Sequence, residues 1–300
     1  MEFSKLMLED ISKLKKHFDD DNTHRLSLGQ DILCDQVIGT NFMWRNFFET
    51  QYAVIDNSLV LKTSHDDNIM FSIPFGNNIT ATLKQIKEYA EEEAIHLYFC
   101  FISELDLHYF HEVFDRVFLC EEADWFDYLY DKKEISELSG KKFHGQKNHV
   151  NRFKKNYPDA VITDIRNFDI SKVTSYISDW FRKYSDTSRM SACEEEAIYE
   201  ILCHLDSYGM IGGVIENNGA VMGVTIGETI GNTLFVHVEK ADHSLSGSYQ
   251  FLSSEFLRYL NNPDIQYVNR EEDMGIPGLR TSKESLHPIK KLKKYTLYCI

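Results

Sequence analysis

Long apolar runs are missing from this sequence. Nowhere in its 300 residues does an apolar stretch approach the roughly 18 residues that a membrane-spanning helix needs. Segment 1–21 mixes charged and apolar residues and has no apolar core of the kind found in a secretory signal. The sequence therefore predicts a cytoplasmic protein without an integral membrane segment.

Paired cysteines and the common catalytic signatures are also absent. The six cysteines are scattered and form no C-x-x-C pair, which predicts free thiols rather than disulfides or a zinc site. No G-x-S-x-G, H-E-x-x-H, Walker or G-x-G-x-x-G motif occurs. These absences argue against covalent catalysis and nucleotide hydrolysis, and we expect no metal or cofactor.

The net charge of −15 argues against a protein that coats nucleic acid generally. Two basic islands stand out in this acidic chain. Island 141–155 has lysines and arginines but no acidic residue, and island 280–294 has Glu284 as its only acid. Each island is consistent either with local anion binding or with ordinary solvated lysines.

The second half of the chain has a clear order of predicted elements. Alternating apolar residues and the turn at Asn217-Asn218-Gly219 predict an antiparallel meander. The predicted strands are 211–216, 220–229, 233–239, 266–269 and 294–299, and the predicted helices are 140–156, 171–184, 193–208, 247–260 and 279–285.

The first half has a similar order, which suggests a duplicated α/β (α+β) domain, with chance similarity as the alternative. Its predicted helices are 1–20, 80–93 and 105–114, and its predicted strands are 52–55, 59–62, 70–73, 96–102 and 125–130. We therefore expect domains at 1–135 and 136–300. The first is predicted to be a degenerate partner, because Pro74-Phe75-Gly76 supplies no acid or base where the second domain has several.

Polar side chains cluster at two strand ends of the second half. His237, Glu239 and Lys240 end the third meander strand, and a charged segment from Asn269 to Asp273 ends the next strand. Ligands of open α/β sheets bind outside the carboxyl ends of strands. A helix beginning near Gly247 adds backbone N–H groups that favour an anion.

These segments resemble the C-terminal transferase domain of lysyl-phosphatidylglycerol synthases, and more closely its soluble bacterial relatives of uncharacterised function. The resemblance covers most of the chain, but its specific motifs lie between Leu138 and Lys283. It implies two tandem GNAT-type (acyl-CoA N-acyltransferase-like) domains, as in the Fem-type aminoacyl ligases that build peptidoglycan cross-bridges. The matching residues are Leu138-Ser139-Gly140-Lys141-Lys142, Lys147-Asn148, Arg152-Phe153-Lys154-Lys155, His237 to Ala241, Asn269 to Asp273, Gly278-Leu279-Arg280 and Lys283.

This sequence departs from the family in two ways. The synthases have a membrane-spanning half that is missing here, so a lipid acceptor does not follow from the resemblance. Acetyl-CoA-using members of the superfamily have a glycine-rich loop between the equivalent strand and helix, whereas loop 241–248 holds only Gly247. The second departure favours aminoacyl-tRNA over coenzyme A as the donor.

The leading hypothesis is transfer of an aminoacyl group from aminoacyl-tRNA to a small or lipid-like acceptor. Direct transfer needs a base and donors for the oxyanion, but no protein nucleophile. Glu239 or Asp273 could be the base, and Arg280, Lys283 or N–H groups after Lys240 could hold the oxyanion or phosphates. Lys147 and Arg152 would contact the tRNA. The candidate catalytic residues are Glu239, Asp273, Lys283 and His237, and the candidate substrate-binding residues are Lys147, Asn148, Arg152, Lys240, Tyr249, Asn269, Arg270 and Arg280.

Three alternatives stay open. The first is an acetyl-CoA-dependent N-acetyltransferase, and the second is a non-catalytic anion-binding module on the same fold. In the third, the charged residues at the strand ends are buried ion pairs with a structural role. We also expect strands 233–239 and 266–269 to be parallel neighbours and Glu239, Asp273, Arg280 and Lys283 to line one pocket. If both basic islands face the mouth of that pocket, several lysines and arginines can reach phosphates together.

Overall fold

A computed structural model describes residues 1–65 and 68–300. This part of the chain forms two compact units. The first unit comprises Met1–Asp127 and Leu292–Ile300, and the second comprises Tyr128–Lys291. Within the described ranges, no helix combines the length and the apolar character needed to cross a bilayer.

The strands and helices are numbered in chain order. The strands are β1 (Ser4–Lys5), β2 (Gln51–Ile55), β3 (Ser58–His65), β4 (Asn68–Phe71), β5 (Leu97–Ser103), β6 (Val117–Glu121), β7 (Asp127–Asp131), β8 (Val161–Asp164), β9 (Ile211–Asn217), β10 (Ala220–Ile230), β11 (Thr233–Ala241), β12 (Tyr267–Asn269), β13 (Lys290–Leu292) and β14 (Lys294–Cys299). The helices are α1 (Ile11–Ser27), α2 (Ile38–Met43), α3 (Ile79–Glu92), α4 (Leu107–Val113), α5 (Lys132–Glu137), α6 (His144–Asn156), α7 (Ile170–Tyr184), α8 (Arg189–Cys203), α9 (Leu205–Tyr208), α10 (Ser248–Leu260) and α11 (Pro277–Glu284).

The first sheet has the order β1-β2-β3-β4-β5-β14-β6. Strands β4 and β5 are parallel, whereas β14 is antiparallel to both β5 and β6. Leu83 and Ile86 of α3 and Phe110 of α4 share a buried core with Phe99 and Leu297. The spacing of the apolar positions along α3 explains this packing, because residues three and four apart lie on one helix face.

The second sheet has the order β13-β7-β12-β11-β10-β9-β8. The predicted meander is confirmed as β9-β10-β11, and Asn218 and Gly219 occupy the left-handed positions of its first turn. Strands β11 and β12 are parallel neighbours, as the sequence predicted. In both sheets an antiparallel run of four strands is followed by one parallel strand, which is the pattern that a duplicated domain requires.

The division of the chain differs from the expected boundary at residues 135 and 136. The first unit ends at Asp127 and regains 292–300, because β14 pairs inside the first sheet. Its side chains Leu297 and Cys299 are buried in the core of that unit. The local pattern of β14 predicts a strand but contains no information about which sheet it joins.

Several local predictions also need correction. The helix expected over 1–20 begins only at Ile11, since Ser4 and Lys5 pair with β2. The helix expected over 193–208 begins at Arg189, where the Ser188 hydroxyl accepts a hydrogen bond from the N–H of Ser191 at 3.2 Å, and it ends at Cys203. The short strands β6 and β8 and the helix α2 were not predicted.

Two features of β11 position the polar residues at its end. One is a bulge near its middle, and the other is the point at which it stops pairing with β12. Ile226 pairs with Val238 and Gly227 with Val236, so His237 is the extra residue of the bulge. Glycine is required at 227 because a Cβ there would lie 2.1 Å from the carbonyl oxygen of Phe235. Strand β12 pairs with β11 only at residues 233–235, and after Asn269 the chain keeps its backbone hydrogen bonds to Tyr128 at the start of β7.

Helices α5, α6 and α10 share one core of the second unit. Phe153 of α6 lies 4.7 Å from Phe251 of α10, measured between ring centroids. Gly247, just before α10, has a φ of +90°, and a Cβ there would lie 2.1 Å from the carbonyl oxygen of His149. This glycine therefore allows the close approach of α6 and α10.

Candidate functional site

Two side-chain contacts bridge β11 and the segment that follows β12. The guanidinium of Arg270 donates to a carboxylate oxygen of Glu239. The imidazole Nδ1 of His237 lies 2.7 Å from Glu271 Oε1, and its Nε2 lies 3.0 Å from Glu228 Oε1 of β10. These contacts fill the region where the backbone hydrogen bonds between the two strands have ended.

His237 is a buried positive charge held between two carboxylates. Burial acts to lower the pKa of His237, but its hydrogen bonds to Glu228 and Glu271 and the charges of both carboxylates outweigh burial and raise that pKa to about 10. Both ring nitrogens then donate at neutral pH, which leaves no nitrogen to accept a proton. This arrangement suits a structural role for His237, linking the strands, better than a role as general base.

This cluster predicts a loss of stability at alkaline pH. The pKa of His237 in the folded protein, about 10, lies above the ordinary value of 6.5, so its stabilisation is complete below pH 6.5 and is lost as the pH rises toward 10. The free energy of unfolding should fall by up to about 1.4 kcal/mol per pH unit across this window. Urea unfolding at pH 6, 8 and 10 would measure the fall. His237→Gln should flatten the profile, and equal slopes in both proteins would refute the prediction.

Asp273 forms an ion pair with Arg280. Arg280 donates to both carboxylate oxygens, at 2.9 and 2.7 Å, and the Tyr128 hydroxyl and the Gly275 N–H add further hydrogen bonds at 2.6 and 2.9 Å. Burial acts to raise the pKa of Asp273, but these hydrogen bonds outweigh it and lower that pKa to about 2. A carboxylate with such a low pKa is a weak base and is better suited to fixing the loop before α11.

Lys283 of α11 is buried against the backbone. Its Nζ donates to the carbonyl oxygens of Arg270 and Glu272, the second at 2.5 Å, and its own carbonyl accepts a hydrogen bond from Tyr130 at 2.8 Å. Asn269 shapes the same turn, since its Oδ1 accepts from the N–H of Glu271 at 2.8 Å. Both residues therefore hold the turn that presents Arg270.

A small cavity of about 20 Å³ lies beside Arg270, enough for a single water molecule. The structure brings the predicted residues Tyr249 and Arg270 together at this cavity. Glu239, Asp273, Arg280 and Lys283 are not among the residues of this wall, and a pocket lined by these four stays a prediction. The wall comprises Ile135, Leu138, Gln146, Tyr249, Gln250, Ser253, Ser254, Arg270, Ser282, Ser285 and Leu286.

Gln146 lies on the wall of this cavity, and its side-chain amide is held in one orientation. Its Nε2 donates to the Ser285 hydroxyl at 2.8 Å, and that hydroxyl donates to the carbonyl of Ser282 at 2.7 Å. Because the hydroxyl proton of Ser285 is already used, the amide is oriented with Nε2 toward it. Gln146 Oε1 is buried and has no hydrogen-bond partner among the described residues. The cavity wall thus includes an amide of fixed orientation and the side chain of Arg270.

The side chain of Lys240 contacts α7 and α8, whereas that of Glu239 contacts Arg270. Its Nζ lies 2.7 Å from Glu194 of α8 and 4.4 Å from the ring centroid of Trp180 of α7. The Trp180 indole also donates to the carbonyl of Ala241 at 2.9 Å. Lys240 is therefore held against α7 and α8, and a substrate contact from it would have to compete with these partners.

Aromatic side chains surround the start of the loop between β11 and α10. The His243 ring centroid lies 4.7 Å from that of Tyr184 and 4.9 Å from that of Tyr249. Burial raises the pKa of Tyr249 to about 12, so its hydroxyl remains a hydrogen-bond donor at neutral pH. These rings pack around a loop that contains a single glycine, Gly247, and no glycine-rich sequence.

The two basic islands differ in the structure. Lys147, Asn148 and Arg152 are exposed on α6, the helix that also contributes Gln146 to the cavity. The second island is divided between the two units, and Lys283 and Lys294 are buried. Arg280 pairs with Asp273, Lys291 with Glu284 and Lys293 with Glu121. Several cations of the second island are therefore paired locally, and a mouth shared by both islands stays a hypothesis.

Known proteins share this sequence and fold. Residues 31–298 match the family model described as phosphatidylglycerol lysyltransferase, C-terminal. The chain is 28% identical over 176 residues to the uncharacterised protein MYCGA3080 of Mycoplasmoides gallisepticum, covering 58% of this chain and 56% of that protein. The chain thus spans just over half the length of this curated relative.

Two solved structures extend over nearly the whole chain. A conserved protein of unknown function from Bacteroides thetaiotaomicron has a TM-score of 0.87 at 29% identity, covering 99% of each chain. L-PGS from Bacillus licheniformis has a TM-score of 0.67 at 12% identity, covering 96% of this chain and 91% of its own. The predicted fold class, two tandem GNAT-type α/β domains, is confirmed by the two seven-stranded sheets and this shared fold.

Proposed function

Because the chain belongs to the family of phosphatidylglycerol lysyltransferase C-terminal domains, we propose that it transfers an aminoacyl group from aminoacyl-tRNA to a small or lipid-like acceptor. The observation that carries the proposal is the contact between Glu239 and Arg270 near the carboxyl ends of β11 and β12, where Arg270 also lies on the cavity wall. It puts an acid–base group next to a cation that can hold negative charge.

The proposed step uses no protein nucleophile. An acceptor amine or hydroxyl attacks the ester carbonyl of the aminoacyl-tRNA, and the ester C–O bond breaks as the new bond to the acceptor forms. Glu239 takes the acceptor's proton and returns it to the departing ribose oxygen. Arg270 stabilises the oxyanion of the tetrahedral intermediate.

The other candidates fit these roles less well. Asp273 has a pKa of about 2 and is held by Arg280, the Tyr128 hydroxyl and the Gly275 N–H, so it is a weak base that already has several partners. Lys283 is bound to backbone carbonyls. These contacts support Glu239 as the base and Arg270 as the cation.

The geometry also supports tRNA over coenzyme A as the donor. A linear thioester arm lying between the parted ends of β11 and β12 would have to break the contacts of His237 with Glu271 and of Glu239 with Arg270. The close approach of Gly247 to His149 further restricts the start of α10. Lys147 and Arg152, by contrast, are exposed on α6.

The donor is tested by replacing both Lys147 and Arg152 with alanine. The slope of log affinity for charged tRNA against log salt should become shallower by about 1.4, because each lost single-strand phosphate contact contributes about 0.7. Affinity at low salt should fall by at least about tenfold. Filter binding of a mixed pool of charged tRNA at several salt concentrations would measure both values.

A matched control is the replacement of both Lys142 and Lys154 with alanine. It removes the same charge from the same island, but these two lysines already pair with Glu134 and Glu255. A smaller effect is therefore expected. Measurable acetyl-CoA affinity without any tRNA binding at low salt would favour the acetyltransferase alternative. Binding without transferred product would favour the non-catalytic module.

A further inference from the structure

Strand β6 forms one end of the first sheet and exposes apolar side chains. Phe118 is 52% exposed and Leu119 is 44% exposed. Edge strands are usually protected by lysine, proline or a bulge, because their outer backbone groups pair readily with another strand. The sequence Val117-Phe118-Leu119-Cys120-Glu121 has neither lysine nor proline, and its ladder with β14 is regular.

The hydrogen bonds of β6 to β14 determine which backbone groups face outward. Arg116 exchanges both backbone hydrogen bonds with Ile300, at 3.2 and 3.0 Å. Because bonding alternates along an antiparallel strand, Phe118 and Cys120 also direct their backbone groups toward β14. Val117, Leu119 and Glu121 therefore direct their N–H and C=O groups away from the sheet, where a further strand can pair.

The charges at the two ends of β6 indicate that a second copy of β6 can pair with it, and in which register. In a two-fold symmetric antiparallel pair of β6 strands centred on Leu119, Arg116 of one copy lies opposite Glu122 of the other. Centring the pair on Phe118 would set Asp115 against Glu121, which is repulsive, and centring it on Cys120 would set Phe118 against Glu122. Centring on Leu119 also pairs all five residues of β6.

Aromatic packing extends inward from this edge. The Phe118 ring stacks on Tyr298 of β14, with centroids 6.1 Å apart, and Tyr298 lies 5.0 Å from Tyr98 of β5. A second copy of β6 would place its Cys120 opposite Phe118 and cover part of that ring. The first sheets of the two copies would then form one continuous sheet across the two-fold axis.

From these observations we propose that the protein associates with a second copy of itself through antiparallel pairing of β6, centred on Leu119. The inference is independent of the proposed transferase activity. It rests on the direction of the backbone groups, the exposed apolar side chains and the self-complementary charges of one strand.

The register can be tested by cross-linking. Phe118 lies opposite Cys120 of the other copy, in a pair without backbone hydrogen bonds, where Cα atoms are about 4.5 Å apart and a disulfide fits. Phe118→Cys should form an intermolecular disulfide with the natural Cys120 under mild oxidation. At micromolar protein, covalent dimer on a non-reducing gel should exceed the wild-type level by at least about tenfold, because pairing raises the effective thiol concentration.

The control is the double variant Phe118→Cys with Cys120→Ser, which should lose the covalent dimer. It also reveals background from Cys203, the other exposed cysteine among the described residues. Covalent dimer that persists in this double variant would overturn the proposed register.

A second variant separates association from folding. Leu119→Lys places two ammonium groups opposite each other on the two-fold axis, which should weaken association by at least about tenfold while the melting temperature stays close to that of the wild type. Sedimentation equilibrium of the wild type and the variant would measure the change. A wild type that remains monomeric at about 100 µM, a concentration at which weak specific dimers form, overturns the proposal.

Discussion

Replacement of Arg270 by alanine is expected to lower the rate of aminoacyl transfer by about 10²–10³-fold, which is the usual effect of removing one donor from an oxyanion site. Arg270 lies on the cavity wall and donates to Glu239, so the change removes the proposed oxyanion contact and the cation beside the proposed base. The measurement is the transfer of a radiolabelled aminoacyl group from charged tRNA to ethanolamine and, separately, to phosphatidylglycerol vesicles.

Two further variants make the result specific. Arg258→Ala removes an exposed arginine of α10 that pairs with Glu255, and it should leave the rate nearly unchanged. Arg270→Lys keeps the charge but loses the planar fork of donors, and it should fall between wild type and alanine. Equal rates for Arg270→Ala and Arg258→Ala, with both proteins folded, would exclude Arg270 from the reaction.

The largest expected effect on stability comes from Lys294 in the first unit. Its Nζ is buried at 2.5 Å from Asp35 Oδ2, 2.6 Å from Asp127 Oδ1 and 3.1 Å from Cys34 Sγ. Lys294→Met removes the ammonium group that these two carboxylates share. The free energy of unfolding should fall by about 3–5 kcal/mol, the usual result of breaking a buried ion pair from one side.

The neighbouring Lys293 provides the matched control. It pairs with Glu121 at 3.3 Å, and both side chains are about half exposed. Lys293→Met should leave stability nearly unchanged, because exposed pairs are screened by solvent. Urea unfolding of both variants measures the difference. If the two substitutions had equal effects, Lys294 would not be the anchor that its contacts indicate.

Much of the second sheet could be predicted from the sequence because its signals are local. The Asn218-Gly219 turn and the alternating residues on either side of it define β9 and β10. The helix between β11 and β12 predicts a parallel crossover, which the structure confirms. These patterns lie within a few residues of the elements that they specify.

The placement of β14 could not be predicted in this way. Lys294 follows Lys290, Lys291 and Lys293, so its sequence neighbourhood indicates a solvated surface. Lys294 is placed in the sheet by pairing with β5, where it lies opposite Ser103, a partner about two hundred positions away along the chain. Periodicity within a strand does not encode such a partner.

The candidate site shows the same contrast between features that local sequence predicts and features that depend on distant partners. The strand-end rule singled out His237, Glu239 and Arg270, but it did not reveal that His237 pairs with Glu271, and Glu239 with Arg270, across the parted strands. No motif marks Gln146, because its role depends on Ser285 of another segment. Likewise, nothing in the repeated lysines of 280–294 shows that Arg280 and Lys283 are held by Asp273 and by backbone carbonyls.

The position of β14 between β5 and β6 also has a consequence for the order of folding during synthesis. Domains usually fold from the N-terminus onward as the ribosome releases them. Here β6 has no ladder to join until residues 294–299 have been made, because β14 is the strand that connects it to β5. The second unit, which is contiguous along the chain, can complete its sheet first. The part of the protein synthesised earliest is thus the part whose core closes last.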